Sequence, residues 1–184
     1  MPATQIAPYR IEPATVGDAE AVAAIYAHHV RHGTASFELE PPDEAAMVAR
    51  MAAVLDAGAP WLVARAPTRE VLGYACAAQF RARPAYRFTA ENSIYIRHDR
   101  RGEGIGRALL ALLIVAAERA GFRQMIAVIA GADPASARLH AACGFVEAGR
   151  MRSIGRKHGQ WLDTLYMQRA LGPGDMVPPE VEPQ

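Results

Sequence analysis

The stretch from residue 100 to 107 combines glycines and arginines in the way that an anion-binding turn requires. Glycines at alternate positions let the backbone turn sharply and approach a ligand closely; they are Gly102, Gly104 and Gly106. The same stretch carries the cations Arg100, Arg101 and Arg107. Backbone N–H groups at a helix N-terminus attract anions, and the helix dipole adds to the attraction. We therefore predict that this turn binds a phosphate or a pyrophosphate.

The glycine spacing argues against two other phosphate-binding motifs. A dinucleotide-binding turn has the pattern G-x-G-x-x-G, followed about 20 residues later by an acidic residue. Here the pattern is G-x-G-x-G, and Ile126 stands about 20 residues beyond Gly106. The G-K-S or G-K-T of a P-loop is missing from the sequence. A glycine-rich turn without a ligand is the remaining alternative.

A predicted strand precedes the turn and a predicted helix follows it. The branched and aromatic residues Ile94, Tyr95 and Ile96 are typical of a strand. From Ile105 onward apolar residues recur at helical spacing, namely at Ala108, Leu109, Leu112 and Ala116. We expect this helix to end near Gly121.

The rest of the chain alternates between predicted strands and helices. Further strands are predicted at Tyr9–Pro13, Trp61–Arg65, Val71–Gln79, Gln124–Ala130, Phe145–Arg152 and Trp161–Arg169, the last two joined through Gly155–Gln160. Further helices are predicted from the Thr15–Asp18 capping pair to Gly33, over Asp43–Ala57, and from Asp133-Pro134 to Gly144. Phe80–Ala90 and Thr34–Pro42 are expected to be irregular. This order predicts a mixed α/β domain over residues 9–171 around one central sheet, with a flexible N-terminus (1–8) and a disordered, proline-rich tail (172–184).

Composition limits the possible partners and cofactors. The chain has 184 residues, of which 51% are hydrophobic, as in a soluble domain with its own core. A net charge of +1 gives no argument for nucleic acid or membrane as a partner. Cys76 and Cys143 lie among apolar or small residues, which fits a reducing cytoplasm. The Cys, His and carboxylate residues show no metal-ligand spacing, so no metal is expected.

Several motifs together resemble one enzyme family. Arg101-Gly102-Glu103-Gly104-Ile105-Gly106 is similar to the coenzyme-binding signature R/Q-x-x-G-x-G/A of the GNAT superfamily of N-acetyltransferases. Glu91-Asn92-Ser93-Ile94-Tyr95-Ile96, Arg138-Leu139-His140, and the Lys157–Asp163 segment resemble its phosphinothricin acetyltransferase branch. Bacterial members of that branch acetylate methionine sulfoximine and methionine sulfone. The resemblance covers residues 9–171.

The resemblance implies a fold, a reaction and partners. The fold would be a central, mostly antiparallel twisted sheet of about seven strands, flanked by about four helices. The reaction would be direct transfer of an acetyl group from acetyl-CoA to the α-amino group of a small amino-acid analogue, in a ternary complex and without a metal. The enzyme would be a homodimer, and its activity could confer antibiotic or herbicide resistance. The open alternatives are an acetyltransferase for another small amine and a non-catalytic acyl-CoA sensor.

The resemblance also assigns roles to individual residues. Glu91 would be the general base, helped by burial or a water relay because an ordinary glutamate with a pKa of about 4.3 is a weak base. His140 would protonate the departing thiolate, although a surface histidine is as good an interpretation. The coenzyme would contact Ile94, Tyr95, Ile96, Arg101, Gly102, Glu103, Gly104, Ile105, Gly106, Arg107 and Asp133. The substrate would contact Arg81, Ala82, Arg83, Glu91, Asn92 and Ser93.

Three of these assignments have structural alternatives. Asp133 suits a helix cap at least as well as a coenzyme contact. The arginines at 81 and 83 suit the carboxylate or phosphinate of an anionic substrate, but also a solvated basic loop. Lys157–Asp163 resembles a family segment near the dimer interface and the active site, where Trp161 is expected to pack. His28, His29, His32, His98 and His158 are expected to be structural.

Overall fold

The protein is described here by a computed structural model that covers residues 9–179. Its strands are β1 (Arg10–Pro13), β2 (Trp61–Arg65), β3 (Val71–Gln79), β4 (Thr89–Ile96), β5 (Gln124–Ala130), β6 (Val146–Lys157) and β7 (Gln160–Ala170). Its α-helices are α1 (Ala19–His32), α2 (Glu44–Asp56), α3 (Ile105–Arg119) and α4 (Pro134–Ala142). The predicted mixed α/β architecture is confirmed.

The strands form a single sheet within the described range, in the order β1-β2-β3-β4-β5-β7-β6. Neighbouring strands are antiparallel except β4 and β5, which are parallel because α3 connects them. One apolar core lies between the sheet and α3, and a second lies between the sheet and helices α1 and α2. The sheet therefore has a helical layer on each face, and the parallel pair lies at its centre.

Strands β4 and β5 separate halfway along their length. Their pairing runs from Thr89 with Gln124 to Asn92 with Ala127 and then stops, whereas β5 continues to pair with β7 as far as Ala130. On its other edge β4 stays paired with β3 as far as Ile96. The second half of β4 therefore has a free backbone edge that faces a gap in the sheet.

Hydrogen-bond alternation shows which backbone groups face this gap. Arg97 N–H donates to the carbonyl of Leu72, and Phe80 N–H donates to the carbonyl of Thr89. In an antiparallel ladder every second residue bonds to the same neighbour, so the backbone groups of Ile94 and Ile96 point away from β3. The groups of Ile94 and the N–H of Ile96 are available to a ligand in the gap, whereas the carbonyl of Ile96 lies 2.7 Å from His29 Nε2.

The start of α1 is built as the sequence indicates. Thr15 N–H donates to Asp18 Oδ2 over 2.9 Å, which forms the expected capping pair, and Gly33 follows the last residue of the helix. Its buried face carries apolar residues, namely Ala19, Val22, Ala23, Ile25, Tyr26 and Val30. This helix therefore packs on the sheet through its apolar face.

The prediction of which α3 residues face the core was wrong by one position in the second half of the helix. The buried residues are Ile105, Leu109, Leu110, Leu113, Ile114 and Ala117. Leu112 is 48% exposed, and neither Ala108 nor Ala116 is fully buried. Apolar residues surround most of this helix, so spacing alone does not choose between adjacent faces.

The β6–β7 hairpin is longer than predicted. Strand β6 continues to Lys157, and only His158 and Gly159 form the turn, with φ values of 48° and 76°. Gly155 had suggested a loop, but it lies inside the strand, where a Cβ would be 2.7 Å from the Phe37 ring. A glycine in a strand can mark close approach as well as a break.

Other predicted boundaries also moved. Strand β4 begins at Thr89, inside the segment predicted to be irregular. The segment predicted to be a tail begins with turns, in which Gly174 N–H donates to the carbonyl of Leu171. The flexible N-terminus predicted for residues 1–8 and the last part of the tail, residues 180–184, lie outside the described residues.

Candidate active site

A cavity of about 780 Å³ opens where β4 and β5 separate. Its walls come from the second half of β4, the end of β5, the glycine-rich turn before α3, the start of α4, and the connection between α1 and α2. Most of the residues predicted to bind a coenzyme line it, namely Ile94, Tyr95, Ile96, Arg101, Gly102, Gly104, Ile105, Gly106, Arg107 and Asp133. The gap in the sheet and the glycine-rich turn thus form one site.

The glycine-rich turn presents backbone donors to this cavity. Gly102 and Gly104 have φ values of 82° and 80°, in the left-handed region that favours glycine. Gly104 is the N-cap of α3 and forms no side-chain cap, so the N–H groups of the first helical turn remain available. No heavy atom lies within 4 Å of a Cβ built at Gly102 or Gly104, so a ligand can approach closely.

The three arginines of the turn are not equally available to a ligand. Arg100 donates to both carboxylate oxygens of Glu103, over 2.7 and 2.8 Å, so its charge is largely neutralised. Glu103 is exposed and does not line the cavity. Arg101 and Arg107 are exposed, line the cavity and form no ion pair with any residue in the range 9–179. These two arginines are the cations left for a phosphate.

Glu91 lies on the cavity wall next to the separation point. Burial raises the pKa of its carboxyl group above the ordinary value, and the positive charge of Arg81 acts in the opposite direction. A raised pKa makes Glu91 a stronger base than an exposed glutamate. Ser93, two residues further on, also lines the cavity and lies on the same face of β4.

The arginine-rich segment before β4 lies apart from this wall. Arg81, Ala82 and Arg83 are exposed and do not line the cavity. The Arg81 guanidinium lies over the Phe80 ring, 4.3 Å from its centroid. The charge of Arg81 nevertheless reaches the cavity, because it acts to lower the pKa of Glu91.

Asn92 lines the cavity too, but its side chain lies on the opposite side of β4 from Glu91 and contacts His140. Its Nδ2 donates to the carbonyl of Ile126 over 3.1 Å, and its Oδ1 lies 3.0 Å from His140 Nε2. The Nδ1 atom of His140 lies 2.8 Å from the carbonyl of Ser136. The amide predicted to contact substrate is therefore occupied by protein partners.

His140 is 2% exposed, so the interpretation as a surface histidine was wrong. Burial lowers the pKa of the imidazole, and the carbonyl of Ser136 opposes that shift. Both ring nitrogens face acceptors, and a neutral ring can donate from only one of them. The two acceptors favour the doubly protonated ring, but burial outweighs them, so the pKa of His140 lies below its ordinary value.

Asp133 caps α4, which confirms the prediction of a helix cap at this residue. Its carboxylate accepts from the backbone N–H groups of Ala135 and Ser136. Asp133 also lines the cavity, so the cap and a contact with the coenzyme are compatible.

No pattern in the sequence indicated that the connection between α1 and α2 lines the cavity. Thr34, Ala35, Ser36 and Phe37 all do so, in a segment predicted only to be irregular, as does Gly33, the predicted end of the first helix. His29, predicted to be structural, also lines it, and its Nε2 lies 2.7 Å from the carbonyl of Ile96. The long separation along the chain, 67 residues for that contact, explains why no local pattern indicated it.

The described part of the chain gives two further findings. No helix between residues 9 and 179 is long and apolar enough to cross a membrane. Within the same range, no group of three or more His, Cys, Asp or Glu residues could hold a metal ion. Cys76 is buried, and burial raises the pKa of its thiol to about 12, so it is a poor nucleophile.

The site fits the coenzyme that the sequence indicated. Acetyl-CoA has a pyrophosphate, for which the α3 N-terminus with Arg101 and Arg107 is suited. It also has an extended arm with amide groups, which the free edge of β4 at Ile94 and Ile96 could bind. Both features open into the same cavity as Glu91.

Comparisons with known proteins agree with this description. The family model described as an acetyltransferase (GNAT) domain matches residues 11–166. The chain is 54% identical to a phosphinothricin N-acetyltransferase of Alcaligenes faecalis over 89% of this chain and 83% of that protein. It is 39% identical to an L-methionine sulfoximine/L-methionine sulfone acetyltransferase of Pseudomonas aeruginosa over 91% of this chain and 98% of that protein.

A solved structure shows the same fold with the coenzyme bound. It is a phosphinothricin acetyltransferase from Sinorhizobium meliloti in complex with acetyl-CoA, with a TM-score of 0.91 and 45% sequence identity. The similarity covers 94% of this chain and 93% of that chain. The chain belongs to the GNAT family and is an N-acetyltransferase that uses acetyl-CoA.

Proposed function

We propose that this enzyme acetylates the α-amino group of a small anionic amino-acid analogue, by direct transfer in a ternary complex. Phosphinothricin, methionine sulfoximine and methionine sulfone are the acceptors that its relatives suggest. The observation that carries the proposal is the position of Glu91, a half-buried carboxyl group in the coenzyme cavity beside the separation of β4 and β5. An acyl-CoA sensor would need the glycine-rich turn but no such base.

In this proposal the protein holds both substrates and moves two protons. Acetyl-CoA supplies the activated acetyl group when it is bound. Glu91 removes a proton from the acceptor ammonium, which at neutral pH is mostly protonated because its pKa is about 8. The free backbone N–H groups of β4 steady the charge that develops on the acetyl oxygen. Cys76 takes no part because its thiol stays protonated.

His140 is the proposed source of the proton for the departing thiolate. Its own nitrogens are engaged, but the Ser136 hydroxyl lies 3.4 Å from Nδ1 and lines the cavity. A proton that leaves Nδ1 would therefore reach the cavity through the Ser136 hydroxyl. The hydroxyl oxygen would accept this proton from the ring while its own proton passes into the cavity. Asn92 would act by orienting His140 and not by binding the acceptor.

The acceptor would be selected by charge. Arg81 and Arg83 offer forked cations to a carboxylate or phosphinate, and Arg81 is close enough to influence Glu91. Both are exposed in the single chain, so acceptor binding would order them. An exposed cationic segment argues against a polyamine as the acceptor.

We also propose that the enzyme is a homodimer. The β6–β7 hairpin exposes large apolar side chains, with Val146 68% and Trp161 62% exposed. We expect a second chain to cover these exposed apolar side chains, which lie at different points along the hairpin. Sedimentation should give a mass twice the 19.8 kDa of one chain; a single-chain mass at micromolar concentration would overturn this proposal.

A panel of amines tests the proposed function. Thiol release from acetyl-CoA would be measured with phosphinothricin, methionine sulfoximine, methionine sulfone, a polyamine and an alanine-starting peptide. We expect the highest kcat/KM with one of the three anionic analogues. Preference for the polyamine or the peptide would favour another amine acetyltransferase. Acetyl-CoA binding without turnover of any amine would favour the sensor.

A further inference from the structure

Residues 34–37, between α1 and α2, are held against the open side of the sheet by contacts from several elements. Tyr26 on α1 and Ser36 share a hydrogen bond of 2.7 Å between their hydroxyl groups. Tyr95 on β4 donates from its hydroxyl to the carbonyl of Ala35 over 3.2 Å. Thr34 packs so closely on Gly131, after β5, that a Cβ there would lie 2.8 Å from its hydroxyl. The segment therefore spans the gap between β4 and β5.

The fourth anchor comes from β6 and is a buried cation. Lys157 is 3% exposed, and its Nζ donates to the carbonyl of Ser36 over 2.8 Å. No carboxylate lies within 4 Å of this ammonium among residues 9–179. Burial lowers the pKa of Lys157, and the more distant charge of Glu38 opposes the shift. An ammonium removed from water without a counterion needs a compensating role.

The same strand also receives the Phe37 ring. A Cβ at Gly155 would lie between 2.7 and 2.9 Å from three ring carbons of Phe37. Gly155 and Lys157 are two residues apart on β6, so their side-chain positions point to the same face of the strand. One face of β6 therefore fixes both the backbone and the largest side chain of the segment.

We propose that Lys157 and Gly155 are positioning residues that set the acceptor side of the active site. Neither lines the cavity, but residues 34–37 do so, beside the side chain of Tyr95, which lies on the same face of β4 as the proposed base Glu91. Lys157 holds the carbonyl of Ser36, which has no other hydrogen-bond donor among residues 9–179, and Gly155 provides the space for Phe37. The segment is thus a fixed wall against which the acceptor binds. This assignment of an acceptor wall rests on the proposed function.

The test compares Lys157→Met with Arg156→Met on the adjacent, exposed position of β6. We expect Lys157→Met to raise KM for methionine sulfone about tenfold, because a charge-assisted hydrogen bond is lost, with KM for acetyl-CoA within about twofold of the wild-type value. Arg156→Met should change neither constant. A fall in kcat with an unchanged acceptor KM would overturn the proposal, as would an equal rise in both KM values.

Amide hydrogen exchange tests the same proposal without catalysis. We expect faster exchange at residues 34–37 in Lys157→Met than in Arg156→Met, while exchange in α3 stays unchanged. Equal exchange in the two variants would overturn the anchoring role. If the wild type acetylates no amine, the proposed function fails, but the exchange result still decides whether Lys157 anchors the segment.

Gly155→Ala provides a second variant if Lys157→Met does not fold. Its added methyl group would displace the Phe37 ring without placing any atom in the cavity. We expect the same rise in acceptor KM and the same local increase in exchange. Wild-type values for both would overturn the role of Gly155.

Discussion

The Nε2 atom of His140 on α4 lies 3.0 Å from Oδ1 of Asn92 on β4. The same amide donates to the carbonyl of Ile126 on β5, so its orientation is determined by its partners. The Oδ1 atom therefore faces the imidazole, which must donate from Nε2. This contact joins the two diverging strands to the helix that closes the cavity.

We predict opposite shifts of the pKa of His140 in two variants of Asn92. Asn92→Asp places a carboxylate beside Nε2 and should raise the pKa, because the negative charge favours the imidazolium. Asn92→Leu removes the acceptor and should lower it. NMR titration of the His140 ring measures both shifts. The same pKa in both variants would mean that the contact does not control His140.

We predict that Arg81 controls the acid side of the pH–rate profile. Arg81 lowers the pKa of Glu91 against the effect of burial, so Arg81→Gln should raise that pKa. A base with a raised pKa stays protonated to higher pH, and the rising limb of kcat/KM should therefore move to higher pH.

The matched control for that prediction is Arg83→Gln. Arg83 is also exposed and belongs to the same segment, but only Arg81 acts on the pKa of Glu91. We expect the rising limb of kcat/KM in Arg83→Gln to stay at the same pH as in the wild type, even if KM for the acceptor rises. A limb that moves equally in both variants, or in neither, would contradict the assignment.

We predict that a side chain at Gly104 weakens coenzyme binding. Gly104 has a φ of 80°, which costs an alanine roughly 1 kcal/mol. Its added methyl group also meets no protein atom within 4 Å and would occupy space for the ligand. Gly104→Ala should therefore raise KM for acetyl-CoA several-fold and lower the free energy of unfolding by about 1 kcal/mol.

Gly149→Ala is the matched control for Gly104→Ala. It adds the same methyl group at an unhindered glycine outside the glycine-rich turn. Gly149 lies in β6, also has no atom within 4 Å of a built Cβ, and does not have a positive φ. We expect KM for acetyl-CoA to be unchanged in this variant. An equal rise of KM in both variants, measured by initial rates, would remove the glycine-rich turn from the binding site.

The features that sequence alone predicted well are those encoded by neighbouring residues. The α1 capping pair, the order of the elements and the glycine-rich turn depend on spacings of a few residues. The buried face of α3 was misplaced at Leu112 because apolar residues occupy adjacent faces of the helix. Short-range pattern therefore predicted the existence of elements better than their orientation.

The parts of the site that sequence did not predict depend on distant contacts. Ser36 and Lys157 are 121 residues apart, and Asn92 and His140 are 48 apart. No local spacing indicates that an irregular segment after α1 closes a cavity between β4 and β5. Residues adjacent in sequence can also have side chains on opposite sides of a strand, as Glu91 and Asn92 do on β4.

The central claim is that Glu91 is the base of an N-acetyltransferase, and one substitution tests it most directly. Glu91→Gln keeps the size of the side chain but removes its basicity. With methionine sulfone and acetyl-CoA we predict that kcat falls by about 10²- to 10⁴-fold, while KM for acetyl-CoA stays close to the wild-type value. Wild-type turnover in Glu91→Gln, measured as thiol release at saturating substrates, would contradict the account.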